Sequence, residues 1–248
     1  MSYFDGLVIA VPTANKDAFI AYARQVDPLF LENGASRVVE CWADDVKHGK
    51  QTDFYGAVDA RDEESIVFSW IEWPDKATRD KGMAAIFEAD PPDPRMDPAR
   101  HPMPFDGQRM IYGSFEPLVI EGNLSRLPYV QGFLVPVEHA RREDYRAVAQ
   151  EGWDKAFQPL GALCVLEGWG DALESGKQTD FFRAVDAREA ENVVFSFMAW
   201  PSREACDAAG ERMQNDPEIS MPASMPFDGM RMVYGGFVPV VVLEKTDA

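Results

Sequence analysis

Polar residues suited to proton transfer and anion binding recur at matched places along this chain of 248 residues. Asp44 and Asp171 each close an apolar run that also holds a glutamate, Glu40 or Glu167. Lys50 and Asp53 lie in the hexapeptide GKQTDF at 49–54, and Lys177 and Asp180 lie in the same hexapeptide at 176–181. Asp106, Arg109 and Tyr112 follow the first MPF, and Asp228, Arg231 and Tyr234 follow the second. A carboxylate that accepts a proton, with Arg or Tyr holding an anionic oxygen, equips a site for acid–base chemistry on a carbonyl or phenolic substrate. Asp44, Asp171 and Arg183 are the candidate catalytic residues, and Lys50, Arg109, Tyr112, Lys177, Arg231 and Tyr234 are the candidates for holding a ligand. Each has a structural reading beside the chemical one. Asp106 and Asp228 precede glycine, a turn signature. Lys50 with Asp53 can pin a loop, and Arg109 can pair with a carboxylate across an interface.

Other chemistries find little support. There is no Gly-rich phosphate loop, no H-E-x-x-H and no G-x-S-x-G. His48, His101 and His139 have no counterparts in the other half, and Cys41, Cys164 and Cys206 are not equivalently placed. No metal, cofactor or disulfide framework is therefore expected. The formal charge of −18, from 42 acidic against 24 basic residues, repels phosphate backbones and anionic lipid, so neither nucleic acid nor a membrane is an expected partner. The N-terminus lacks a positively charged leader pattern, and no apolar stretch approaches the roughly 20 residues of a bilayer span. A cytoplasmic location is expected.

The elements that must position these residues are written twice. After GKQTDF come AVDAR (57–61 and 184–188), VFSW or VFSF (67–70 and 194–197), MPFDG (103–107 and 225–229) and RMIYGSF or RMVYGGF (109–115 and 231–237). The chain reads as two repeats, 1–121 and 129–244, joined by a linker at 122–128. Each opens on a strand, Tyr3 to Val11 or Tyr129 to Val137, rich in β-branched and aromatic residues. Phe19, Tyr22, Ala23, Val26 and Phe30 fall at helical spacing, with Asn15 as N-cap and Asn33-Gly34 as the stop. A second strand (37–43, 163–169) and a third (65–73, 192–200) follow. The second helices (about 75–89 and 202–215) end at Asp90-Pro91 and Asp216-Pro217, and a fourth strand (109–120, 231–243) closes each copy.

The order β-α-β-β-α-β is that of a ferredoxin-like repeat, an antiparallel sheet with both helices on one face. Large apolar residues on both faces of the third strand demand cover on both sides. The predicted class is α+β, with the two repeats packed sheet to sheet as an intramolecular, pseudo-dimeric barrel. Trp42, Trp70, Trp73, Trp169, Phe197 and Trp200 either fill that barrel or line a cavity in it.

The segments DGLVIAVP, VVECWADDV, VFSWI and MPFDGQRMIYGSF together resemble the YbaA-like family of small bacterial proteins. The resemblance covers both copies and implies the dimeric α+β barrel superfamily, here as a tandem fusion. It also implies the pattern Phe-x-Arg-Ala-Val, kept as 181–185 but broken in the first copy, where Gly56 replaces the arginine. Asp5 corresponds to Gln131, and the stretch before MPFDG is longer in the first copy (PPDPRMDPARHP against PEISMPAS), so an asymmetric site is expected to be open to such a fusion. Superfamily analogy implies an uncharacterised small-molecule-binding barrel, with the candidate residues converging at its mouth. The alternative is a non-catalytic interaction or stress-associated scaffold, which a solidly packed interior would favour.

Overall fold

A computed structural model describes residues 2–216, 219 and 225–245. The segment PEISMPAS, apart from residue 219, and Pro217 as a helix stop lie outside the described residues. Eight antiparallel strands form one closed barrel. The first repeat supplies β1 (Tyr3–Pro12), β2 (Arg37–Asp45), β3 (Glu64–Trp73) and β4 (Ile111–Gly122). The second supplies β5 (Tyr129–Glu138), β6 (Cys164–Asp171), β7 (Glu191–Trp200) and β8 (Val233–Glu244). Going round the barrel the order is β1-β3-β2-β8-β5-β7-β6-β4. The two halves therefore join edge to edge, through β2–β8 and β4–β6, as well as meeting face to face. Edge pairing removes the open rows of backbone amides and carbonyls that two merely stacked sheets would leave.

Alternation along the strands sorts the side chains. Phe4, Val8, Phe68, Trp70, Phe115, Phe195, Phe197 and Phe237 point inward into one cluster. Phe68 stacks on its counterpart Phe195 with ring centroids 4.5 Å apart, and Trp70 stacks on Phe197 at 4.0 Å. Gly6 and Gly132 make room, since a Cβ at Gly6 would sit 2.7 Å from Phe195 and one at Gly132 would sit 3.0 Å from Phe68. The aromatic rings thus pack the interior, as expected for an eight-stranded barrel. Four strand tryptophans, Trp42, Trp73, Trp169 and Trp200, lie in clusters outside this one, beneath the helices.

The first helix breaks where the periodicity suggested continuity: α1 (Lys16–Val26) is followed by α2 (Pro28–Glu32), with Pro28 as the first residue of the new helix. Asn15 makes no side-chain cap and instead donates to the Pro104 carbonyl at 2.9 Å. The hexapeptides lead into short helices absent from the sequence reading, α3 (Phe54–Ala57) and α6 (Phe181–Ala184). Each drives a buried phenylalanine, Phe54 or Phe181, into the core. Asp53 and Asp180 cap these helices and also accept from the amides of Gly49 and Gly176, and this pins each loop. The remaining helices are α4 (Lys76–Phe87), α5 (Arg142–Gly152) and α7 (Arg203–Asn215). A π-helical turn, Trp153–Phe157, continues α5.

Candidate functional site

The residues predicted to converge are dispersed. Arg109 is buried and grips Glu64 through two bonds of 2.6 Å, while also bonding Asp106 and the Asp59 carbonyl. Arg231 repeats the arrangement with Glu191, Asp228 and the Asp186 carbonyl. Both arginines pair within their own repeat, not across the interface. Asp59 and Asp186 adopt φ values of 50° and 49°, which aim their carbonyls at the guanidinium groups. The AVDAR and MPFDG motifs are thus the two ends of a structural clamp.

Asp171 accepts from the Tyr3 hydroxyl at 2.6 Å and lies 3.4 Å from Lys76. Asp44 pairs with Arg203 at 3.0 Å beside Tyr129. These are two equivalent ties across the seams between repeats. Arg183 bonds the carbonyls of Lys177 and Gln178, holding its own loop. Lys50, Lys177 and Tyr234 are exposed on the surface. The expected convergence at the barrel mouth is not found, because α3 and α6 fill the region with Phe54 and Phe181.

The cavity lies elsewhere, between the outer face of the first repeat's sheet and its helices. It measures about 470 Å³. Leu7, Ile9, Val38 and Ile71 form its floor, and Phe19, Tyr22, Val26 and Phe30 of α1 and α2 form one wall. Met83 and Phe87 of α4 form another, and the long stretch before β4 adds Met96, Met103 and Phe105. Arg95 fixes that stretch to α2 through two bonds to Glu32, of 2.8 and 2.7 Å. The volume is within the roughly 300–1,000 Å³ of ligand sites, and flexible methionines suit an adaptable apolar wall.

Two carboxyl groups interrupt this apolar lining, Asp27 and Glu40. Both are buried, and Asp27 Oδ2 and Glu40 Oε2 have no hydrogen-bond partner. Burial pushes Glu40 up to about 8. Burial, and then the charge of Glu40, push Asp27 well above the usual carboxylate range. Burial thus favours a shared proton on the pair, and a protonated carboxyl group there can donate to a ligand oxygen. Ser69 lies opposite Glu40 on β3, and its buried hydroxyl moderates the rise of that carboxyl. Among the described residues no group of three or more His, Cys, Asp or Glu side chains is arranged to hold a metal ion.

Among the described residues, the second repeat packs the equivalent place differently. Tyr129 to Glu167 is one residue longer than Tyr3 to Glu40, and the π turn absorbs the extra residue. Trp153 packs with Val165 and Met198, the counterparts of Val38 and Ile71, while Asp154 is left exposed. Tyr145 replaces Phe19 and donates to Glu167 at 2.8 Å, so the second glutamate has the partner that Glu40 lacks.

Glu40 was visible in the sequence as a repeated acid but was outranked by Asp44. Asp27 was missed because it sits in a helical run and has no repeated motif around it. The added length before the first MPFDG was a usable signal, since it delivers Met96 to the cavity.

Comparison with known proteins agrees with this architecture. The protein YbaA of Escherichia coli strain K12, described as uncharacterized, is 51% identical over 121 residues, which are 49% of this chain and 100% of that protein. An anthrone oxidase-like protein shares the fold at a TM-score of 0.60 and 12% identity, covering 99% of this chain and 94% of that one. A candidate monooxygenase from Lactobacillus acidophilus NCFM does so at 0.55 and 12% identity, covering 98% and 96%. Residues 2–107 and 128–229 both match the family described as protein of unknown function (DUF1428), and the chain belongs to that family, carried twice in tandem.

Proposed function

We propose that the first repeat binds a flat, largely apolar small molecule and moves a proton on it at a carbonyl or phenolic oxygen. The observation that carries this reading is the pair of buried, incompletely bonded carboxyl groups, Asp27 and Glu40, in a cavity that is otherwise apolar. When two acids share a dry site, one ionises while its neighbour keeps the proton. The protonated partner gives its proton to a ketone oxygen, and the ionised one takes a proton from carbon. The product is the enol, and the pair has exchanged roles without net gain or loss of protons. The fold likeness to an anthrone oxidase-like protein makes anthrone, a flat ketone with an acidic methylene group, a suitable first probe. The wild-type chain should speed exchange of the anthrone methylene hydrogens for deuterium by on the order of a hundredfold over buffer. Glu40→Gln should return the rate to that of buffer. An unaccelerated wild type would refute proton transfer.

The solid barrel interior favours a second reading, in which the barrel is a non-catalytic scaffold. Anthrone would then bind without exchange, or not bind at all.

A further inference from the structure

Tyr112 lies at the rim of the cavity, 37% exposed, while its ring lines the wall. Its hydroxyl oxygen accepts from the Arg79 guanidinium. Arg79 in turn is held by Asp5, a fully buried carboxylate, with contacts of 3.0 and 3.1 Å. Asp5 also accepts from the Trp73 indole at 2.8 Å and from the Ser114 hydroxyl at 2.6 Å. A guanidinium has only donors, so Tyr112 is the acceptor in its bond with Arg79 and keeps its own hydrogen to give. Asp5 also lies close enough to compete for that hydrogen, but the Tyr112 oxygen keeps a second lone pair that a ligand hydroxyl can reach.

Strand register places Tyr112 relative to the acid pair. Tyr112 of β4 pairs with Leu7 of β1, Leu7 with Ser69 of β3, and Ser69 with Glu40 of β2. The four residues form one row across the outer face of the sheet. Three strand spacings separate its ends, roughly 14 Å between Cα atoms. The row thus runs from the Tyr112 hydroxyl, over Leu7 and the Ser69 hydroxyl, to the unpartnered oxygen of Glu40.

The second repeat lacks the ion pair, although Trp200 still donates to Gln131 at 3.3 Å. Gln131, Cys206 and Gly236 stand in place of Asp5, Arg79 and Ser114, and Tyr234 is 54% exposed. A buried ion pair is costly to desolvate. Here it is kept only in the repeat that has the open cavity.

We infer that Tyr112, positioned by Arg79 and Asp5, is a second polar anchor of the cavity, and that the cavity selects a flat molecule with an oxygen at each end. This rests on the reading of the cavity as a ligand site. The test compares 2,6-dihydroxynaphthalene with 2-naphthol by fluorescence titration at pH 6, where both phenols are neutral. The wild-type chain should bind the diol about tenfold more tightly, the worth of one good hydrogen bond. Tyr112→Phe should erase that advantage and leave 2-naphthol binding unchanged, while Tyr234→Phe should change neither. Arg79→Met should act as Tyr112→Phe does, with Arg79→Lys restoring part of the preference, which a purely structural loss would not do. Thermal melts of each variant show that it is folded. If both probes bind equally and Tyr112→Phe is silent, the second anchor is overturned while the cavity reading stands. If neither probe binds the wild type, both fall.

Discussion

The outer faces of the two repeats begin from the same frame and end differently. In the first, α1 stops at Val26, Asp27 turns inward, and Phe19 leaves Glu40 Oε2 without a partner, so a cavity of about 470 Å³ remains. In the second, one extra residue in a π turn brings Trp153 onto the sheet, and Tyr145 satisfies Glu167. The clamp of Arg109 on Glu64 and that of Arg231 on Glu191 have the same partners, two carboxylates and one aspartate carbonyl. What varies is the covering layer, where a helix can gain a residue or exchange one ring for another without disturbing the barrel ladder. A fused pair thus keeps two copies of its frame and is free to keep one pocket.

The largest effects should fall on the shared frame. Arg109→Met and Arg231→Met each strand a buried glutamate and should cost about 3–5 kcal/mol, equally in the two repeats. Urea denaturation measures both, and a clear inequality would show that the clamps are not equivalent. Trp153→Ala should also cost about 3–5 kcal/mol by opening a cavity. It should raise the stoichiometry of 2-naphthol binding from one to two per chain, read by fluorescence titration. A stoichiometry that stays at one would mean that Trp153 is not what closes the second site.

The barrel interior offers a finer comparison. Gly6→Ala and Gly132→Ala both overpack it, at about 1–3 kcal/mol. Gly6→Ala should be the more damaging, since its Cβ meets Phe195 at 2.7 Å against 3.0 Å from Phe68 for Gly132. Equal melting points would remove that distinction.

The smallest expected effect is the difference between the two buried glutamates in their dependence on pH. Burial raises Glu40 to about 8 and Glu167 to about 7, from an ordinary 4.5, and the Tyr145 bond moderates Glu167. Each acid binds its proton more tightly in the folded state than in the unfolded one. The stability it contributes is therefore complete below 4.5 and is lost as the pH rises through 8 for Glu40 and 7 for Glu167. Between pH 5 and 9 the melting temperature of the wild type should therefore fall steadily. Glu40→Gln should flatten that slope more than Glu167→Gln does, and the reverse order would contradict the assignment of Glu40 as the less satisfied acid.

Much of the frame was legible from residues. The duplicated segments implied two copies, and the third strand, apolar on both faces, implied cover on both sides, as the ring stack of Phe68 on Phe195 and the helices over Trp73 now show. Less of the site was legible. Repetition favours residues that the frame needs twice, so it drew attention to Arg109, Arg231, Asp44 and Asp171, which are clamps and seam ties. A pocket kept by one repeat alone is marked by differences instead, such as Asp5 for Gln131 and Phe19 for Tyr145.

Alternation, turn residues and the doubled motifs were enough to determine that this chain makes two like sheets with greasy inner faces, because those depend on neighbours in sequence. Only the tertiary structure decided that the sheets close edge to edge, that aromatic rings pack the interior, and that the open space lies beneath the helices of the first repeat. Those outcomes depend on which volumes meet across the fold. An additional residue in a helix, or a missing hydroxyl, alters such a meeting without leaving a periodic trace.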